Sequence, residues 1–478
     1  MSLALTLAAQ IALPRLLLAH GGDAGYVAYV AVVSTMAYVS LADGGILVAV
    51  SRNLAEAHGR GDLAAFRGEG QRARRLFAVT GLVGIAIAIA LGGTAISTAQ
   101  QQFGGELPPL FLPAVAAELA AVCIGLGVAN FHTAVAEATN RLIVAQYGHM
   151  ATQMTPLLGL LIAIWLTRRV EVGLLTHAAI TISVNAVRGV HAVAIFRRET
   201  RGVVATPPDT KVGFVLTSGL AVQLSEALPS ATFPHLLTVL APQVVAGAIP
   251  GRTYANSTRI IGRQFISLLT AQITRMMAGP AETKRRAAEV YRHAAAFLTG
   301  LQLLLVGLIA VVAPPVFALW LPAQASRIVH YLPGLLAQQA LLAAAMPSSI
   351  LFVAASRLRL MGVVRLTGLG LGIPTLLLTY ERLPELSFGL ALAAAAIPHF
   401  LLGASVEARS SPGFPPPNFT SRVRYLCALA CAVACSTIGE GPWVLGGASV
   451  IAAALLLPRS SLFILRYLVS GSKEPARS

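Results

Sequence analysis

Four residues between positions 252 and 263 share a pattern that points to anion chemistry. On a helix turning 100° per residue, Arg252, Asn256, Arg259 and Arg263 fall at about 0, 40, −20 and 20°, forming one polar stripe about 16 Å long. Guanidinium is permanently charged and offers paired donors to phosphate oxygens. A ladder of arginines therefore suits a phosphate-bearing anion moving through a partly desolvated path. The alternative starts the helix later, with Arg252 at an outer interface and the other arginines paired with acids on neighbouring helices.

Other ionisable residues lie in apolar surroundings, where they are costly and usually face a protein interior or a water-filled path. Glu226 sits at a depth similar to Arg259 on the preceding apolar run. It reads equally as a structural ion-pair partner or as a coupling carboxylate, and Pro229 and Pro234 weaken the helix beyond it. Asp43 and Arg188 fall at similar depth on two further runs, and mutual neutralisation is preferred over substrate contact. Arg15 is either a cavity residue or a snorkelling anchor. Arg52 either meets an incoming phosphate or anchors a helix end in the ordinary way. Glu118, with Asn130 and His132, adds polar lining, whereas His149, His177, His235 and His399 are scattered and read as packing residues. Cys427, Cys431 and Cys435 stack on one helix face with no His or carboxylate beside them, so they and Cys123 read as filler, with no metal site.

The elements that must position these groups follow from composition. Of 478 residues only 11% are charged and 56% are apolar, and the mean hydropathy is +0.74. A soluble chain carries about 25% charged residues, so a stack of soluble domains is excluded. Charge-free runs such as 76–105, 293–326 and 328–356 each exceed the roughly 20 residues that cross a bilayer. The expectation is an all-α polytopic membrane protein with about 14 spans at 3–19, 26–50, 76–96, 110–132, 143–167, 173–196, 213–240, 245–277, 296–313, 331–355, 362–380, 387–406, 425–438 and 443–458. Met1 and Ser2 lead into apolar sequence without a basic segment, so 3–19 reads as a retained span and not a signal peptide.

The net charge of +16 reflects where the basic residues sit, not affinity for nucleic acid. Of the 35 Lys and Arg, 26 fall in loops on one side of the proposed spans, among them 51–75 and 275–295, and only Arg168, Arg169, Arg327 and Arg382 fall on the other. The asymmetry places both termini in the cytoplasm. The basic segments after the second and eighth spans are alike and similarly placed, which divides the chain into six-helix lobes at 1–205 and 206–407, with two further helices and a tail at 408–478. The stretch RRETRGVVATPPDTK is polar and suits an inter-lobe linker.

The segment HGGDAGYVAYVAVVSTMAYVSLADGGILVAVSRNLAEAHGRGD resembles the first two helices of the polysaccharide flippases: a Gly-Tyr start to helix two, an Asp-Gly near its inner end, then Arg and a Gly-Asp turn. Tyr254 and Arg259 stand in the Tyr-x-x-x-x-Arg relation that this family often shows in its eighth helix. The chain is similar to the Wzx-type members of the multidrug, oligosaccharidyl-lipid and polysaccharide exporter superfamily over nearly its whole length. That resemblance implies two six-helix lobes in a V around a central cavity, in the bacterial inner membrane. It also implies outward translocation of undecaprenyl-diphosphate-linked oligosaccharide by alternating access, with membrane lipid and other polysaccharide-assembly proteins as partners.

No GxxxxGKS/T phosphate loop occurs, and no soluble segment is large enough for a nucleotide domain, so this chain does not itself hydrolyse ATP. No large outer loop holds catalytic acids, so an enzyme is not expected, nor a cofactor. Exporting two negative charges from an inside-negative cell gains about 4.6 kcal/mol per 100 mV, at about 2.3 per charge. Three alternatives to a glycan flippase stay open: a flippase for the peptidoglycan lipid precursor, a cation-coupled multidrug exporter of the same superfamily, and a membrane glycan polymerase or ligase.

Overall fold

The computed structural model describes residues 2–43, 46–139, 141–206, 231–258, 281–354, 358–409 and 444–454, with a few isolated positions between 269 and 276 and between 429 and 457. The described residues are helical with short connections, and no strand occurs among them. Among the described residues eight helices are long and apolar enough to cross a membrane, including Leu63–Gln102, Val170–Glu199 and Glu282–Trp320. Large apolar side chains such as Leu82, Ile89, Trp165 and Leu319 are exposed on these helices. A soluble protein hides such surface; a bilayer solvates it. The protein is therefore a multi-pass membrane protein of the all-α class. The chain divides into two compact units, Met1–Ala246 and Gly247–Ser478, a division that falls later than the linker chosen from sequence.

In the first unit, α1 (Ser2–Ser40) kinks at Gly22, whose φ of 62° lies in the region that favours glycine. The kink separates the first two expected spans. The second does not run unbroken over 26–50: a 3-10 turn at Leu41–Asp43 intervenes before α2 (Ile46–Gly59). Asp43 is a poor helix former, and two glycines follow it.

The expected loop 51–75 is mostly helix. α2 continues to Gly59, and α3 (Leu63–Gln102) starts immediately after a tight turn, with the Asp62 side chain accepting the Ala65 backbone N–H at 2.9 Å as its N-cap. Hydropathy marks where helices leave the bilayer, not where they end. These basic extensions fold on an aromatic cluster of Phe66, Phe77, Phe131 and Phe196, and Arg67 donates to the Val203 carbonyl.

The fourth span is α4 (Phe111–Ile124), a π-bulge at Gly125–Ala129 and α5 (Asn130–Ala138). Such bulges often mark functional sites. α6 (Leu142–Thr167) and α7 (Val170–Glu199) follow, with Arg168 in the left-handed conformation at the turn between them. The helical stretch Ala231–Leu240 belongs to the same unit, where the Tyr38 hydroxyl donates to Thr232 at 3.0 Å.

Among its described residues the second unit contains most of α8 (Pro242–Asn256), then α9 (Ala281–Trp320), α10 (Ala325–Ala354), α11 (Leu358–Thr379), α12 (Pro384–Arg409) and a short apolar helix, Val444–Ala454. α10 and α12 meet backbone to backbone at Gly334 and Gly389. A Cβ at Gly389 would lie 2.6 Å from Gly334 backbone atoms, so only glycine permits that approach.

Candidate functional site

Arg252 is ten residues into α8, about 15 Å from its start at Pro242 by the helical rise. The helix therefore starts well ahead of Arg252, and not after it as in the alternative reading. Its guanidinium carbon lies 5.8 Å from the centroid of Phe388 on α12, within cation–π range. Its Nε is buried with no hydrogen-bond partner, and no carboxylate pairs with it among the described residues. One turn on, the Asn256 side-chain oxygen accepts from Gln339 Nε2 at 2.8 Å, and Gln339 Oε1 has no partner. α8 ends at Asn256, with a turn at Ser257. Arg259, Arg263 and Glu226 lie outside the described residues, so the structure describes only the first two members of the stripe, Arg252 and Asn256. Tyr254, of the Tyr-x-x-x-x-Arg pattern, packs edge-on against Phe317 at 4.9 Å.

In the first unit the preferred Asp43–Arg188 pairing is not what forms. Asp43 is buried and accepts from Asn130 Nδ2 at 2.9 Å. Arg188, on α7 and 7% exposed, directs its guanidinium at four neutral acceptors. Nη1 donates to Thr152 Oγ1 at 2.7 Å, Nη2 to Thr133 Oγ1 at 2.7 Å and the Ala129 carbonyl at 3.3 Å, and Nε to His132 Nδ1 at 3.4 Å. Two residues with similar depth on different helices need not share a face. The acceptors that meet Arg188 come from the π-bulge, α5 and α6, and none of the four is an acid.

A guanidinium only donates, so His132 Nδ1 must accept and its Nε2 carries the hydrogen. That Nε2 lies 3.2 Å from His191 Nδ1, which therefore accepts in turn and leaves the His191 hydrogen on its Nε2. His191 is one turn beyond Arg188 on the same helix, so its approach to the arginine was readable as an i, i+3 spacing. The contribution of Thr133, Thr152 and His132 was not, because it depends on which helices pack together. His132, Arg188 and His191 border a cavity of about 500 Å³ whose walls include Val144, Tyr147, Val184 and Val187. A Cβ at Gly148 would lie 3.0 Å from His132 Cε1 and 3.1 Å from Arg188 Nε, so glycine lets both side chains pack close against α6.

Glu118, 1% exposed on α4, is bonded by His177 Nδ1 on α7 at 2.9 and 3.0 Å. His177 is thus the partner of a buried acid and not a scattered packing residue. His235 packs edge-on against Tyr38 at 5.6 Å. Arg15 is exposed on α1, while the Arg52 and His149 side chains lie outside the described residues. Among the described residues no three His, Cys, Asp or Glu cluster as a metal would need.

No family model matches the chain, and no curated protein matches it. Solved structures do. An inward-facing multidrug resistance MATE family transporter of the MOP superfamily aligns with a TM-score of 0.65 over 86% of this chain and 96% of that one, at 16% identity. A mutant of the Vibrio cholerae MATE transporter VcmN aligns at 0.53 over 86% and 99%, also at 16% identity, and a MATE in complex with MaD5 at 0.52 over 84% and 94%, at 18%. At these identities the likeness concerns architecture, and the protein has the multi-pass helical fold of MATE transporters of the MOP superfamily.

Proposed function

We propose that the protein is a flippase of the polysaccharide-exporter type, moving an isoprenyl-diphosphate-linked oligosaccharide from the inner to the outer leaflet by alternating access. The observation that carries this reading is a pair of arginines without acidic partners among the described residues: Arg188, on a helix apolar and long enough to span, in the first unit and Arg252 in the second. A permanent cation inside a membrane protein is expensive, and structural arginines are usually neutralised by a carboxylate. An arginine left with neutral neighbours is set up for an anion that comes and goes. The expected stripe continues this logic through Arg259 and Arg263, with Arg15 and Arg52 as further cations near the two ends of the path. Both termini are cytoplasmic in this reading.

A second reading, cation-coupled multidrug export, is favoured by the multidrug transporter with the similar fold and by the buried acids Asp43 and Glu118. A cationic drug is attracted to acids and repelled by bare arginines, so the two readings predict opposite substrates. The test is reconstitution of the full chain into proteoliposomes. Transfer of an isoprenyl-diphosphate-linked sugar between leaflets, lost in Arg252→Met, supports the flippase. Uptake of a cationic dye with no lipid transfer supports the drug exporter.

A further inference from the structure

We infer that the end of the first unit where α2, α5 and α7 finish and α3 and α6 begin carries a binding site for an acidic phospholipid. Its phosphate sits among Arg74, Arg75, Arg197 and Arg198, and its acyl chain follows the exposed apolar face of α3. The inference stands whichever substrate the protein moves, and it concerns the bilayer around the protein instead of the cargo.

Packing brings these cations together. A Cβ at Gly70 would overlap the Phe196 ring, so glycine lets α7 close on α3 one turn before Arg74. The Arg74 guanidinium carbon then lies 5.2 Å from the Phe131 centroid and 5.6 Å from that of Phe196. Two ring faces fix the guanidinium without cancelling its charge. Arg197 follows Phe196 in the chain, and its charge bears on Arg74. Arg74, Arg75, Arg197 and Arg198 are all exposed, so their donors are open to a ligand.

The acids at this end serve other groups. Glu56 pairs with Arg60 at 3.6 Å, Glu69 with Arg72 at 4.0 Å and Glu199 with Arg141 at 3.1 Å, while Asp62 caps α3. Glu137 is exposed on α5, and among the described residues no ion pair joins it or any of the four arginines. Like charges held side by side repel, and a bound anion removes that cost.

The surroundings select a lipid as that anion. Arg75 stands where α3 enters its apolar run. With Arg75 at 0°, Val79, Leu82 and Ile89 fall at about 40, −20 and −40°, the first about 6 Å further along the axis. All three are exposed. On α7 the exposed Val187 and Val190 precede Arg197 and Arg198 in the same manner. In a multi-pass protein acyl chains solvate such faces, and cations at the rim stand at headgroup level. A soluble anion would use the arginines alone, whereas a phospholipid uses the arginines and the apolar face together.

The experiment is native mass spectrometry of the full-length protein in an uncharged detergent, titrated with phosphatidylglycerol or with phosphatidylcholine of the same chains. Arg197→Gln/Arg198→Gln removes two exposed charges of the site, and Arg197→Lys/Arg198→Lys keeps them. Arg60→Gln removes a charge at the same end, and Arg168→Gln one at the opposite end of α6. The expected result is that phosphatidylglycerol binds at least about tenfold tighter than phosphatidylcholine, with about fivefold or more of the preference lost in the double glutamine variant. The double lysine variant, Arg60→Gln and Arg168→Gln should keep the preference, and added salt should weaken it. Equal binding of the two lipids overturns the site. So does an equal loss in Arg60→Gln or Arg168→Gln, which would make the attraction a property of the whole surface. Displacement of phosphatidylglycerol by an equal concentration of inorganic phosphate overturns the lipid as ligand.

Discussion

Replacing Arg252 with methionine separates function from stability. An arginine at the centre of a span costs about 2.5–3.5 kcal/mol on insertion scales, an upper figure for Arg252, which stands four residues before the end of α8. What α8 recovers for Arg252 is small. Its Nε is buried without a partner, and among the described residues it meets the face of Phe388 at 5.8 Å, a contact worth up to about 2 kcal/mol when desolvated. The side chain is half-buried, which discounts both figures. Methionine fills a similar volume, keeps contact with the phenyl ring and carries no charge. Arg252→Met is therefore expected to leave stability unchanged or raise it by up to about 2 kcal/mol, while transport of an anionic lipid falls by about tenfold or more. The assay is thermal unfolding in detergent beside leaflet transfer in proteoliposomes, on the same preparation. A loss of more than about 2 kcal/mol on unfolding would refute the reasoning, because it would mean that Arg252 is held by a structural partner.

Further outcomes follow from the other contacts. Gly389→Ala is expected to cost about 1–3 kcal/mol by overpacking against Gly334, whereas Gly447→Ala, with open space around it, should be neutral; thermal unfolding checks both. Asp62→Ala removes the N-cap of α3 and should cost about 0.5–2 kcal/mol, seen as earlier unfolding. Glu118→Leu leaves the His177 ring without its acceptor and should cost about 1–3 kcal/mol, while Glu118→Gln keeps an oxygen for the ring and should unfold near the native temperature. If Glu118→Gln nevertheless abolishes the pH dependence of transport, the pair is a coupling site and not merely a structural one.

The sequence disclosed the membrane class and most helix positions because length and hydropathy set them directly. The sixth span, expected over 173–196, is α7 over Val170–Glu199, and the tenth, expected over 331–355, is α10 over Ala325–Ala354. What hydropathy could not show was the helix beyond the hydrocarbon, as at Ile46–Gly59, where charge returns but the backbone hydrogen bonds continue. The site was legible to the extent that it lies on one helix. The Arg252–Asn256 spacing and the Arg188–His191 spacing are both in the sequence. Partners on other helices are not, which is why Arg188 was matched with Asp43 by depth, when its acceptors are Thr133, Thr152 and His132. His177 was passed over for the same reason, since its acid lies 59 positions away in sequence.

The most direct test of the central claim is the leaflet distribution of lipid-diphosphate-linked glycan in cells depleted of this protein, measured by extraction, leaflet-selective labelling and mass spectrometry. The account predicts that one assembled glycan lipid builds up in the inner leaflet and clears when the native chain is restored but not when Arg252→Met is. No build-up, with increased retention of a cationic dye instead, would contradict it and place the protein among the drug exporters.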